Sequence, residues 1–506
     1  MFSKVDTFYL KGVRGMSVEV ETDISRGIPD FKIIGLCGVG IHESAKRVRT
    51  AVLNSGISFP KGRVTVNLSP ADIKKDGSGF DLPIALGILN ASGVIPKDKL
   101  SGIAVLGELS LDGSVKSVRG VLSMMIGVDL SKVRGVIVPK DNLQEVCCLG
   151  IPALGVSSLK ATVEILLKSD SFICGNKEFA YGENPEKQYD FNDVFGQRDV
   201  KRAIEIAVSG RHNILFMGSR GSGKTMLAKC ISGIMPEMNI DEALETASVY
   251  SAAGLFMRGT QNITSVRPFR EIYTGISQTA LIGGKDSGIG EINLAHNGVL
   301  YIDEITEMKP NLIDSLRLPL ENRYSIFTKD GTSEKIPADF LFVATANPCR
   351  CGNLFEGAGK CTCSRVQVRS RITKISSPIA DRIDMHIPVR SVKFSDFGKS
   401  KEESSSDIAE RVKRTVEIQH NRYKTSCSGY NGRADRHLIE KFCRLRPPVK
   451  KMLESAVDDI GFSVRGVEKV IRIARTIADM DLREEINTYD ISEALQYRLL
   501  DRKEFC

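Results

Sequence analysis

No stretch of this chain approaches the ~18 uninterrupted apolar residues that a membrane-spanning helix requires. The first residues, MFSKVDTFYLKGVRG, are broken by charge and glycine and lack the apolar core of a secretory signal. No membrane partner and a cytoplasmic location are therefore expected. Histidine is scarce, with 6 residues in 506. None of His42, His212, His296, His386, His420 and His437 stands at ligand spacing to another, so they read as structural or solvated. Twelve cysteines in an intracellular chain do not point to disulfides, because cytosolic thiols are kept reduced. No repeat of solenoid period is evident.

What is present is ordinary for a globular protein: 42% apolar and 26% charged residues. At 506 residues the chain is too long for one core, and roughly three or four units are expected. The net charge of +8 is a mild basic excess, compatible with a polyanionic partner. Three regions separate by pattern. Residues 1–168 alternate strand-like runs (Met16–Val20, Val64–Leu68) with helical ones (Glu43–Ser55, Leu82–Ser92). Residues 169–192 are polar and read as a linker. Residues 193–393 form an α/β segment, closed by the charged, serine-rich stretch Ser395–Ser406. Residues 407–503 are helical in pattern, with Val467, Val470, Ile471, Ala474, Ile477 and Ala478 forming one apolar stripe.

The apolar run Asn213–Met217 leads into Gly218, Ser219, Arg220, Gly221, Ser222, Gly223, Lys224 and Thr225, and then into a helical pattern. This is the full G-x-x-x-x-G-K-[ST] loop between a strand and a helix. Glycines let backbone N–H groups converge on a phosphate, the helix start adds a favourable dipole, and Lys224 neutralises phosphate oxygens. The Thr225 hydroxyl is the expected Mg²⁺ ligand. A second apolar run, Gly298–Ile302, ends in Asp303 and Glu304. Asp303 would hold Mg²⁺ through water and Glu304 would act as general base on the attacking water.

Three further residues fit the same chemistry. Asn347, at the end of the run Phe340–Ala346, can sense the γ-phosphate and position water; the alternative is a turn asparagine before Pro348. Arg382 can be supplied across a subunit boundary to stabilise transition-state charge; the alternative is a surface salt bridge with Asp381 or Asp384. Arg465 follows the N-cap candidate Ser463, from which it could reach the phosphates as a lid descends. Separately, Cys349, Cys351, Cys361 and Cys363 cluster after the Asn347 strand. Four thiolates suit tetrahedral Zn²⁺, although C-x-C is tighter than the common knuckle and four reduced thiols remain the alternative.

The order of these motifs resembles the magnesium-chelatase-like AAA+ ATPases of bacteria, the YifB/ComM group, over essentially the whole chain. The resemblance rests on Arg267-Pro-Phe-Arg270, on Gly283-Gly284, and on the continuous run from Gly290 to Glu304. It also rests on Ser463-Val-Arg465, Ala474–Asp479 and Ala494–Arg498. It implies a central P-loop AAA+ α/β domain and a C-terminal helical lid, with ATP and Mg²⁺ as ligands. It further implies sensor 1 at Asn347, an arginine finger at Arg382, sensor 2 at Arg465 and a homo-hexameric ring. The family usually continues R-P-F-R with proline and two histidines, where this chain has Glu271–Thr274.

The first region resembles the Lon-protease-like (ribosomal-S5-domain-2-like) fold. Lys75–Gly79 is similar to the segment around the Lon nucleophile and Gly107–Gly113 to the strand pair before its catalytic lysine. Following that register, Leu122 occupies the lysine position and Ser78 is offset from the nucleophile, so a non-proteolytic domain is expected. The resemblance implies a helicase or branch-migration factor acting on single-stranded or branched DNA in recombination or natural transformation. Arg258, Arg267, Arg270 and Lys285 are candidate pore-loop cations for that role, with a solvated basic face as the alternative. A protein-remodelling ATPase and a metal-chelatase motor subunit are the alternatives. The second is disfavoured because the chain ends soon after the lid.

Overall fold

The computed structural model of the chain describes all residues except 36–37, 72–73, 76, 132, 169–171, 175–188, 257–262, 285–287, 330, 358, 376, 393–401, 425–428 and 502–506. The protein is mixed α/β. The N-terminal region is built on an eight-stranded mixed sheet. Its centre is the antiparallel pair Phe2–Lys11 and Arg14–Ser25. Along the second of these, Val18, Val20 and Thr22 are buried while Glu19 and Glu21 are only partly covered, the two-residue alternation of a sheet with one wet face. Helix Asp81–Ala91, buried along its whole length, covers the inner face. The four segments read from the sequence lie within or beside the observed strands Arg14–Ser25 and Arg63–Ser69 and helices Val39–Asn54 and Asp81–Ala91. Most of the linker 169–192 lies outside the described residues, but Ile173–Cys174 pairs as an edge strand with Pro152–Val156.

The central sheet has five strands: β1 (Ile214–Gly218), β2 (Phe269–Ile272), β3 (Val299–Ile302), β4 (Leu341–Ala346) and β5 (Met385–Val389). All neighbours are parallel, in the order β2-β3-β4-β1-β5. Strands β1, β3 and β4 are buried at every position, which is why each reads as a continuous apolar run rather than an alternation. Full burial of each Leu, Ile or Val there contributes about 1.5–3 kcal/mol. A hairpin, Tyr324–Lys329 with Thr332–Pro337, precedes β4 and touches the N-terminal unit through Lys11 and Glu334, 3.2 Å apart.

The C-terminal helices share an apolar cluster with the central sheet: Val470, Ile473, Ala474 and Ile477 join Ile214, Phe216 and Ile204. The expected stripe is therefore the inner face of helix Val464–Met480. No helix of the described residues is long and apolar enough to cross a membrane.

This seam contains a pH-sensitive contact. His212 is buried, its Nε2 2.8 Å from Thr476 Oγ1, and burial pushes its pKa down to about 4 despite the attraction of Asp384. Asp384, Arg472, Arg433 and Lys469 are the charged groups that face it. The folded state thus prefers the neutral ring, so the unfolded chain binds the extra proton between pH ~6.5 and ~4. Stability is complete above that window and falls as pH drops through it, by about 2 kcal/mol between pH 7 and 5 from this group. Buried His386, held well below its usual value by burial and by Arg498 and Lys469, acts in the same direction. Thermal melts should show a lower midpoint at pH 5 than at pH 7, with a smaller difference in His212→Gln. An identical pH dependence in the variant would refute the assignment.

Candidate nucleotide site

Because the central strands are parallel, the segments that follow β1, β3 and β4 emerge at one edge of the sheet, the usual ligand edge of an open α/β sheet. β4 lies between β1 and β3, so Asn347 stands between the Gly218–Thr225 loop and the Asp303–Glu304 pair. The contacts follow that order. Lys224 Nζ donates to Gly218 O at 2.9 Å and Ser219 O at 2.6 Å, and reaches Asn347 Oδ1 at 3.4 Å. Asn347 Nδ2 donates to Glu304 Oε1 at 3.0 Å. One amide therefore spans the lysine and the proposed base.

Burial lowers the Lys224 ammonium's pKa, and the carboxylates of Glu304 and Asp303 oppose that shift. The ammonium is thus held among carbonyls and acids with little water, where an incoming polyphosphate would be a strong competing partner. Gly223, at φ +89°, turns the loop into helix Lys224–Cys230 through a conformation that residues with a Cβ rarely adopt. Ser222 Oγ ties back to Ser219 O at 2.9 Å. Arg220 projects outward, 83% exposed, with its Nε 3.8 Å from Glu304.

Two residues that the sequence reading passed over complete the acid pair. The Tyr301 hydroxyl donates to Asp303 Oδ1 at 2.8 Å and lies near the Thr225 side chain, while burial raises its pKa. The Thr345 hydroxyl donates to Asp303 Oδ1 at 2.6 Å and accepts from Glu304 N at 2.8 Å. Thr225 and Asp303, the two candidate magnesium ligands, thus both lie near one phenol. Glu304 itself sits at φ 49°, ψ 55°, a left-handed conformation uncommon for a residue with a side chain, and such strain clusters at functional sites. An oxygen-rich pair beside a phosphate-binding loop fits a hard divalent cation.

Arg382 and Arg465 are not brought to this loop. The Arg382 carbonyl accepts from Asn213 Nδ2 at 2.9 Å, so Arg382 lies at the start of β1, roughly 16 Å of strand from the loop. Its guanidinium pairs with Glu321, and Arg465 meets the same carboxylate at 3.6 Å. The two arginines form one cluster at the opposite edge of the sheet.

Two of the four candidate pore-loop cations need correction. Arg267 is buried and bonded to the carbonyls of Pro236, Glu237 and Asn297 and to the Glu242 carboxylate at 2.8 Å. Arg270 makes two hydrogen bonds to Glu291, at 2.6 and 2.9 Å. Arg267 is an internal brace and Arg270 a half-buried one. Arg258 and Lys285 lie outside the described residues. In the altered Glu271–Thr274 segment, Glu271 pairs at 3.2 Å with Lys229 of the helix that follows the loop.

In the N-terminal unit, the Ser78 hydroxyl meets Glu108 rather than an amine. Leu122 is fully buried against Met238, Ala243 and Ala247, and its N–H donates to Glu145 at 2.9 Å. The carboxylate of Glu145 also accepts from Ser251, so this position is part of the contact with helix Ile240–Ala252.

Comparison with known proteins identifies the family. The family profiles described as magnesium chelatase, subunit ChlI, match residues 190–397 and 20–142, and its C-terminal profile matches 402–498. YifB of Salmonella typhimurium is 34% identical over 495 residues, covering 97% of this chain and 96% of the relative. Competence protein ComM of Haemophilus influenzae is 35% identical over 500 residues, covering 97% and 96%. The magnesium-chelatase 38 kDa subunit of Rhodobacter capsulatus is 26% identical over 188 residues, 33% of this chain and 53% of that protein. With a P-loop and an acid pair at one sheet edge, and near-full-length similarity at this level, the chain belongs to the magnesium-chelatase-like AAA+ ATPases, in the group of YifB and ComM.

Proposed function

We propose that the chain is an ATP-hydrolysing ring motor, a homo-hexamer, that acts on DNA during recombination or transformation. The observation that carries the hydrolytic part is the bridge from Lys224 through Asn347 to Glu304. Lys224 and the loop amides bind the β- and γ-phosphates, and Glu304 takes the proton from a water that Asn347 orients. Thr225 and Asp303 hold Mg²⁺, which supplies charge neutralisation at the phosphates. Arg382 and Arg465, at the far edge, serve the nucleotide of the neighbouring subunit, so the site is complete only in the ring. Cys349, Cys351, Cys361 and Cys363 hold zinc.

The DNA part is supported by the competence relative and by an exposed basic segment. Between Glu356 and Asp381 the chain has no acidic residue and five basic ones: Lys360, Arg365, Arg369, Arg371 and Lys374. Arg365 and Arg369 lie on the exposed face of helix Arg365–Ile372. Such a surface tracks a phosphate backbone with salt-sensitive affinity. Fluorescence anisotropy at low salt with labelled single-stranded and forked DNA should show binding that weakens as salt rises. The double variant Arg365→Ala, Arg369→Ala should lower the salt slope by about 1 per lost contact. If no DNA form binds, the motor works on another substrate, with protein remodelling the successor reading.

A further inference from the structure

The four clustered cysteines bracket a segment that packs against the P-loop. Their sulfurs fall within 4.8 Å of one another. Cys349 is 3.4 Å from Cys351 and 3.7 Å from Cys361, and Cys351 is 3.6 Å from Cys361. A disulfide would need about 2.05 Å. A zinc ion about 2.3 Å from each sulfur sets the sulfurs of a tetrahedron about 3.8 Å apart, close to this spacing.

The residues between the cysteine pairs hold the nucleotide loop. Gly352, at φ +81°, passes so close that a Cβ there would lie 3.2 Å from Ser219 Cα. Four residues later, Glu356 Oε1 accepts from Ser219 Oγ at 2.7 Å, from Ser391 N at 2.9 Å and from Ser391 Oγ at 2.7 Å. One carboxylate therefore fastens the second residue of the P-loop to the segment that follows β5. The Cys351–Cys361 segment that carries it includes Gly352, Gly357 and Gly359, and among its described residues the single helical turn Asn353–Phe355 is its one regular element. Without a tie at its ends, so glycine-rich a segment has little to fix Glu356 in place.

We propose that zinc bound by Cys349, Cys351, Cys361 and Cys363 braces the P-loop through Glu356 and Ser219, so that metal occupancy sets nucleotide affinity. This rests on the nucleotide reading given above. The probes are zinc itself, Co²⁺ as its coloured substitute, and a fluorescent ATP analogue, all with the full-length protein. The purified protein should hold about one zinc per chain, and Co²⁺ should give thiolate charge-transfer absorption that Cys361→Ser, Cys363→Ser abolishes. Stripping the zinc, then restoring Mg²⁺ alone, should weaken analogue binding by about tenfold, as expected for losing one charge-assisted hydrogen bond, and adding zinc back should restore it. Glu356→Gln should keep its zinc and show the same weakening.

Protein that neither retains zinc nor colours with Co²⁺ overturns the metal site. Zinc-loaded protein whose affinity changes neither on stripping nor in Glu356→Gln overturns the brace. Zinc-loaded wild-type protein that binds no analogue at all overturns the nucleotide reading and the brace with it. The reversible stripping of the wild type guards against a variant that merely misfolds.

Discussion

Glu304→Gln should leave ATP bound but slow its hydrolysis by about 10²- to 10⁴-fold, the usual contribution of a positioned general base. The substitution is nearly isosteric, and the side-chain oxygen can still accept from Asn347 Nδ2, now 3.0 Å away. Backbone placement is also retained, because the Glu304 N–H is held by the Thr345 hydroxyl at 2.8 Å. What disappears is the ability to take a proton from water. The bound triphosphate should then persist, and size-exclusion chromatography with ATP should show a ring that outlasts that of the wild type. Normal phosphate release by this variant would remove Glu304 from the base role.

Lys224→Ala should act earlier, at binding. Among the described residues the ammonium is the one buried cation at the loop, and its bonds to the Gly218 and Ser219 carbonyls show that it lies within the loop's own curve. Its loss removes charge-assisted contacts to phosphate, each about 1.5–3 kcal/mol, so nucleotide affinity should fall by about 10- to 100-fold and turnover should vanish. The loop carbonyls would need water in its place, so a melt must accompany the binding titration. A variant that melts normally and binds ATP as tightly as wild type would contradict the proposed site.

The motif residues were legible because their chemistry is local: a loop of fixed length between a strand and a helix, and two acids at a strand's end. The fold class followed from the same runs, since strands buried on both faces leave an uninterrupted apolar signature. Tyr301 and Thr345 were missed because each is a single polar residue inside such a run, and only the sheet order sets them beside Asp303. The signal was there, in a hydroxyl interrupting an apolar strand. Arg267 and Arg270 were misread for the opposite reason. Their partners Glu242 and Glu291 lie 25 and 21 residues away, so spacing alone leaves them looking like unpaired cations. Glu356 carries no motif at all, and its hold on Ser219 spans 137 residues. The placement of Arg382 and Arg465 depended on strand direction, which turns one residue's neighbours into another edge of the sheet.

The burial of Leu122 has a mechanical consequence. Helix Ile240–Ala252, against which it packs, follows the P-loop helix closely in sequence and is gripped from the N-terminal unit by both an apolar seat and the Glu145–Ser251 bond. A shift in that helix as phosphate leaves the loop would therefore be delivered to the N-terminal sheet as a rigid stroke. Leu122 and Glu145 would be the bearing of that stroke.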